Sequence, residues 1–122
     1  MKLRGTLSEQ TYRTGLQASR IYLFNDKDMH RFLNIISETF PAMKTACILD
    51  WIPEQGEDIF TFLVDTHSVL KIELDRYDKK VAPIVDMYSI EDWTKGLSKM
   101  NQIKIAVALD LAKQDISQGH IE

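Results

Sequence analysis

Apolar residues recur with different periods along the chain, and each period predicts an element. Over residues 26–39 the period is helical. Met29, Phe32, Leu33, Ile36 and Phe40 fall at i, i+3, i+4, i+7 and i+11, one stripe of a 3.6-residue repeat. Asn25 is a suitable N-cap, and Asp26 and Asp28 put negative charge at the positive end of the helix. Pro41 forces its predecessor out of helical geometry and stops the run. Thr45–Ile52 is different: Cys47, Leu49 and Trp51 alternate with Ala46, Ile48 and Ile52, so both sides are apolar. That pattern predicts a strand that is central or covered on both faces. Pro53-Glu54-Gln55-Gly56-Glu57-Asp58 supplies the turn that ends it.

Two alternating runs follow, Ile59–Asp65 and Val69–Asp75. Pairing Phe60, Phe62 and Val64 with Leu74, Ile72 and Leu70 sets all six on one face, around a Thr66-His67-Ser68 loop. Slipping that register by one residue would set Phe62 opposite Lys71. Val81–Tyr88 reads as a further strand, and Pro83, with no N–H to give a neighbour, points to an edge position or to the first residues of the pairing. Before residue 25 the pattern is weaker. Lys2–Leu7 alternates, and Ser19–Phe24 is aromatic and β-branched, so both read as strands. The polar stretch Ser8–Gly15 between them fits a turn, a short helix or a wide loop.

Ser89-Ile90-Glu91-Asp92 has the form of a capping box and predicts a helix over 90–97, ended by Gly96 and Ser98. A last helix is predicted over 99–116, with Gly119 as its stop. It carries two apolar stripes: Met100, Ile103, Val107 and Leu111, and Ile105, Ala108, Leu109, Ala112 and Ile116. One sheet face covers too little of a helix for both. Either the two other helices cover the second stripe, or a second copy does. A two-fold homodimer through Ile103, Val107 and Leu111 is the expectation. The whole chain, 1–122, then reads as one α+β domain. Its mainly antiparallel sheet would have about five to six strands, with one helix (26–39) inserted early and two C-terminal helices (90–97 and 99–116) packing on it.

Composition supports a folded chain: 44% of the 122 residues are apolar and 27% charged. The net charge of −3 argues against bulk electrostatic binding to nucleic acid or anionic membrane. The charge is uneven, however. Residues 40–98 carry six bases and eleven acids, while residues 1–39 carry six bases and four acids. A solvated face explains the acidic excess most simply. A surface for a basic protein partner is the sharper reading, with Glu54, Glu57 and Asp58 at its centre. Trp51 and Trp93 would be its aromatic anchors, although Trp51 also fits as a core cap at a strand end.

Candidate chemistry is sparse. Asp65 and His67 lie close in sequence and would orient an imidazole, but a hairpin tip lacks the desolvated pocket that tunes a general base. His30 follows Asp26 by one helical turn, yet a metal site needs three or four ligands and no second pair has suitable spacing. His120 has no partner pattern. Gly-rich phosphate loops, Cys-x-x-Cys pairs and nucleophile elbows are absent from the sequence, so neither cofactor nor metal is expected. Lys2, Arg4, Arg13 and Arg20, interleaved with Tyr12 and Tyr22, make only a weak nucleic-acid patch. The single cysteine, Cys47, sits in apolar surroundings and reads as a buried structural thiol. The longest fully apolar run, Ile105–Leu109, spans five residues, and no apolar leader segment follows the first charged residues. The expectation is a non-enzymatic, cytoplasmic protein-interaction module of the small acidic inhibitor, immunity or adaptor type. The alternatives are a small enzyme using Asp65 and His67, or a weak nucleic-acid binder through the N-terminal bases.

Overall fold

A computed structural model describes residues 2–119. Residues 2–6, expected in a first strand, form no regular element, and α1 (Leu7–Asn25) takes up the second expected strand, Ser19–Phe24. The helix starts at a capping box. Thr6 Oγ1 accepts from the Glu9 amide at 3.2 Å, and the Glu9 carboxylate accepts from the Thr6 amide and hydroxyl at 3.2 and 2.8 Å. Its inward face runs Glu9, Leu16, Leu23, with Tyr12, Ser19 and Arg20 partly buried between them. Polar residues on that face hide the helical period. The aromatic and β-branched Ser19–Phe24 run is the second half of this helix, with Ile21 and Tyr22 facing water. Tertiary packing here overrides local strand propensity.

After one 3₁₀ turn (Lys27–Met29), capped by the Asp26 side chain, comes α2 (His30–Thr39). Asn25 is therefore the end of one helix rather than the cap of the next. The apolar stripe holds: Met29, Phe32 and Ile36 are buried, and Leu33 and Phe40 pack against them.

Four strands follow: β1 (Ala46–Glu54), β2 (Glu57–Val64), β3 (Ser68–Asp75) and β4 (Ile84–Ser89). They form an antiparallel meander in the order β1-β2-β3-β4. The β2–β3 register pairs Phe60 with Ile72 and Phe62 with Leu70, two residues from the expected pairing. The loop has three residues, as expected, but starts one residue earlier. Asp65 causes the shift. Its carboxylate accepts from the Lys44 and Thr45 amides, both at 2.9 Å, and its φ of 51° turns it out of the strand. Asp tolerates that left-handed conformation better than most residues. A shift of two preserves side-chain parity, so Phe60, Phe62, Val64, Leu70, Ile72 and Leu74 still share one face.

The helices cover both sides of the sheet. On one face, α2 and the end of α1 close a core around Phe62, Leu70 and Ile72. On the other, α4 (Lys99–Gln118) and the middle of α1 enclose Cys47, Leu63 and Val69. A short α3 (Ile90–Thr94), capped by Ser89, precedes α4 and is three residues shorter than expected. Strand β1 is covered on both faces over its first half, as its pattern implied, but it lies at a sheet edge. Helix α1 closes that edge. Ser19 Oγ accepts from the Ile48 amide at 3.1 Å, Lys104 Nζ donates to the Leu49 carbonyl, and the strand bulges at Leu49.

The second stripe of α4 is covered chiefly by α1, an element the sequence pattern did not reveal, while Ile90 and Trp93 of α3 pack against the same core. Val107 is 0% exposed and Leu111 is buried beside it within the same chain, while Ile103 packs partly against this core. Val107 and Leu111 of the expected two-fold interface are thus covered within the chain itself.

Candidate functional site

At the β1–β2 turn end of the sheet, beside α2, lies an open groove of about 710 Å3. Trp51 forms one wall. Its sequence context suggested a core cap, yet it is 54% exposed. What fixes it is Phe60, which stacks under it with centroids 5.5 Å apart and planes 14° from parallel. Phe60 in turn contacts Phe32 at 4.6 Å and Phe62 at 5.9 Å. A surface tryptophan is therefore anchored to the deepest part of the core by a run of aromatic contacts. Such a ring loses little rotamer freedom when a partner covers it.

The turn beneath the groove is set by Gly56, whose φ of +81° suits glycine. Arg76 ties this turn to the end of β3. Its guanidinium donates to the Asp58 carboxylate at 2.8 Å and to the Glu57 carbonyl at 3.3 Å, and the Asp58 bond raises its already high pKa further. Asp75 accepts from the Tyr77 and Asp78 amides at 2.9 and 2.8 Å. These bonds, chiefly the one from Asp78, hold its carboxyl below the ordinary range. Arg31 of α2 reaches the Lys79 and Val81 carbonyls at 3.2 and 3.3 Å and holds the following loop against the helix.

Charge around the groove is mixed. Asp58 is engaged by Arg76, and Lys27, Arg31 and Lys79 line the same concavity. Asp28 and Asp75 line it as well, and Glu54 and Glu57 are exposed on either side of the turn. Trp51 and Asp58 are brought together at the groove. Trp93 is not: it lies half-buried on the opposite face, against Tyr88 with centroids 5.1 Å apart. Sequence reasoning missed Arg31, Arg76 and the loop they hold, because the contacts join positions some 20 to 50 residues apart.

The other candidate residues fall into structural roles. Asp65 is engaged by two backbone amides, and His67 Nε2 lies 3.7 Å from it with its side chain 57% exposed. Asp26 caps the 3₁₀ turn through the Asp28 amide at 2.9 Å. Among the described residues, no cluster of three or more metal-ligating side chains occurs, and no helix is long and apolar enough to cross a membrane. His120 lies outside the described residues. Two of the four N-terminal bases are neutralised internally: Arg13 pairs with Asp110 at 2.7 Å, and Arg20 pairs with Asp115. Tyr12 packs into the second core. Burial pushes the Cys47 thiol up to about 12, with the nearby Asp115 carboxylate adding to it.

No family model matches the chain, and no curated protein or solved structure matches it either.

Proposed function

We propose that the chain is a non-enzymatic protein-interaction module whose partner surface is the groove at Trp51. The observation that carries this reading is the exposed Trp51 ring, stacked on Phe60 and backed by Phe32 and Phe62. Binding energy at protein interfaces concentrates in a few rigid aromatic anchors ringed by polar groups, and the groove has that composition. The partner presents a large apolar side chain to Trp51 and charges of both signs to the rim, with its basic groups meeting Glu54 and Glu57. A cytoplasmic setting belongs to the same proposal and rests on the one cysteine being a buried free thiol. The enzyme reading through Asp65 and His67 lacks a desolvated imidazole, and the nucleic-acid reading has lost two of its four bases to internal pairs.

The test is capture from the native lysate on immobilised wild-type protein and on Trp51→Ala, with Leu7→Ala as a control for an exposed apolar residue elsewhere. Partners retained by the wild type and the control but lost on Trp51→Ala support the reading. A partner held equally by all three contradicts it.

A further inference from the structure

The two edges of the sheet are treated very differently. The β1 edge is bulged, covered by α1 and bonded by Ser19 and Lys104. At the β4 edge, no further strand follows among the described residues. All six residues of β4 are exposed, and four of them are Ile84, Val85, Met87 and Tyr88. Long apolar edge strands invite pairing, and proteins usually blunt them.

The ladder shows which backbone groups are open. The Ile90 amide donates to the His67 carbonyl at 3.0 Å, and Ser68 lies opposite Ser89. In an antiparallel pair, hydrogen-bonded and non-hydrogen-bonded pairs alternate. Residues 84, 86, 88 and 90 therefore bond to β3, and the N–H and C=O of Val85, Met87 and Ser89 point outward. The Ser89 carbonyl, at the N-cap of α3, already accepts the first bond of that helix, which leaves the N–H and C=O of Val85 and Met87 and the N–H of Ser89 to face a neighbour. Pro83 follows the same parity, so the missing N–H is on the outer side and limits pairing to the segment after it.

We infer that β4 pairs with β4 of a second copy, antiparallel about a two-fold axis at Met87, joining two four-stranded sheets into one. This goes beyond the Trp51 reading and does not depend on it. A second copy is the occupant because the edge is self-complementary in one register. With Met87 opposite Met87 of the other copy, Val85 meets Ser89 and Asp86 meets Tyr88. Met87 of each strand then exchanges both backbone bonds with Met87 of the other, and the Val85 carbonyl accepts from the Ser89 amide of the other. Val85 and Met87, which share a face with buried Ile72 and Leu70, make one apolar patch across the joint. The neighbouring register, centred on Asp86, sets two like charges opposite each other at a Cα spacing of about 4.5 Å, which is unfavourable. The short strand gives a contact of the small, transient class, so the 14.1 kDa chain and its dimer exchange with concentration.

Sedimentation equilibrium from low micromolar to several hundred micromolar tests this. The expected result is a mass rising toward twice 14.1 kDa, and loss of that rise in Met87→Lys and in Met87→Pro. Proline at 87 removes an outward donor and leaves the β3 ladder bonds in place, and circular dichroism checks that both variants fold. Asp86→Cys combined with Tyr88→Cys is expected to cross-link under mild oxidation, whereas Asp86→Cys alone is not. A monomer throughout, a dimer that survives both Met87 variants, or cross-linking of Asp86→Cys alone overturns the inference. A strand from a different protein as the only occupant found by cross-linking does the same. Trp51→Ala is expected to leave the dimer unchanged, which separates failure here from failure of the partner reading.

Discussion

Asp115 holds three elements together, and its removal tests the least expected part of the fold. One carboxylate oxygen pairs with the Arg20 guanidinium of α1, and the other accepts from Thr45 Oγ1 at 2.9 Å, next to the start of β1. The Arg20 and Asp115 side chains are only 18% and 10% exposed, so solvent screens them weakly. Asp115→Ala removes a carboxylate from beside a mostly buried guanidinium and takes the acceptor from Thr45 Oγ1. Breaking a buried pair from one side costs about 3–5 kcal/mol, and the residual exposure places this pair near ~3. Domains of this size have roughly 5–15 kcal/mol in total. With a urea slope of about 1.5–2 kcal/mol/M, the midpoint should fall by roughly 1.5–2 M. Arg20→Met combined with Asp115→Leu should recover most of that loss, because an apolar pair of similar volume has no desolvation penalty. Urea unfolding followed by circular dichroism reads all three variants. A loss under about 1 kcal/mol for Asp115→Ala, or a double variant as unstable as the sum of its parts, would falsify the clamp between α1 and α4.

The buried stripe of α4 makes a related prediction. Val107→Ala should cost about 2 kcal/mol, from two methyl-sized groups at ~0.8 each plus a small cavity. The cost should be the same at low and high protein concentration, whereas a cost that grows with concentration would mean that a second copy faces this stripe. Cys47, its thiol pushed up to about 12, should resist a thiol reagent at pH 8 in the native state and react on unfolding. Rapid stoichiometric labelling of the folded protein would contradict its burial. At Glu9, burial raises the carboxyl pKa, but bonds from Thr6, Arg4 and Gly5 outweigh it and hold it below the ordinary range. A depressed folded pKa means that the contribution is full above the unfolded carboxylate range and is lost as pH falls through the folded value. Amide exchange over residues 4–9 should therefore accelerate on acidification in the wild type, and much less steeply in Glu9→Gln.

Where burial follows the apolar pattern, the elements were legible. The α2 stripe, the shared face of β2 and β3, the Ser89 cap and the edge placement of β4 from Pro83 all rest on such local signals. The α1 helix was not legible from its stripe, because Glu9, Ser19 and Arg20 occupy inward positions for reasons found elsewhere in the chain: a cap, the Ile48 amide and Asp115. Its Thr6-Leu7-Ser8-Glu9 capping box was the available signal. Missing α1 left the second stripe of α4 without a cover and so pointed to a dimer there. The groove was legible only in Trp51 and Asp58, since its shape depends on Arg31 and Arg76 reaching across the sheet end.

The interaction claim rests on Trp51, and calorimetric titration of a purified, captured partner tests it most directly. Trp51→Ala should weaken binding by about 30-fold or more, the loss of roughly 2 kcal/mol typical of a dominant anchor. Trp51→Phe should retain part of that affinity, since it keeps the stack on Phe60. Unfolding midpoints close to wild type for both would show that the loss belongs to the interface. Equal affinity for wild type and Trp51→Ala would contradict the account.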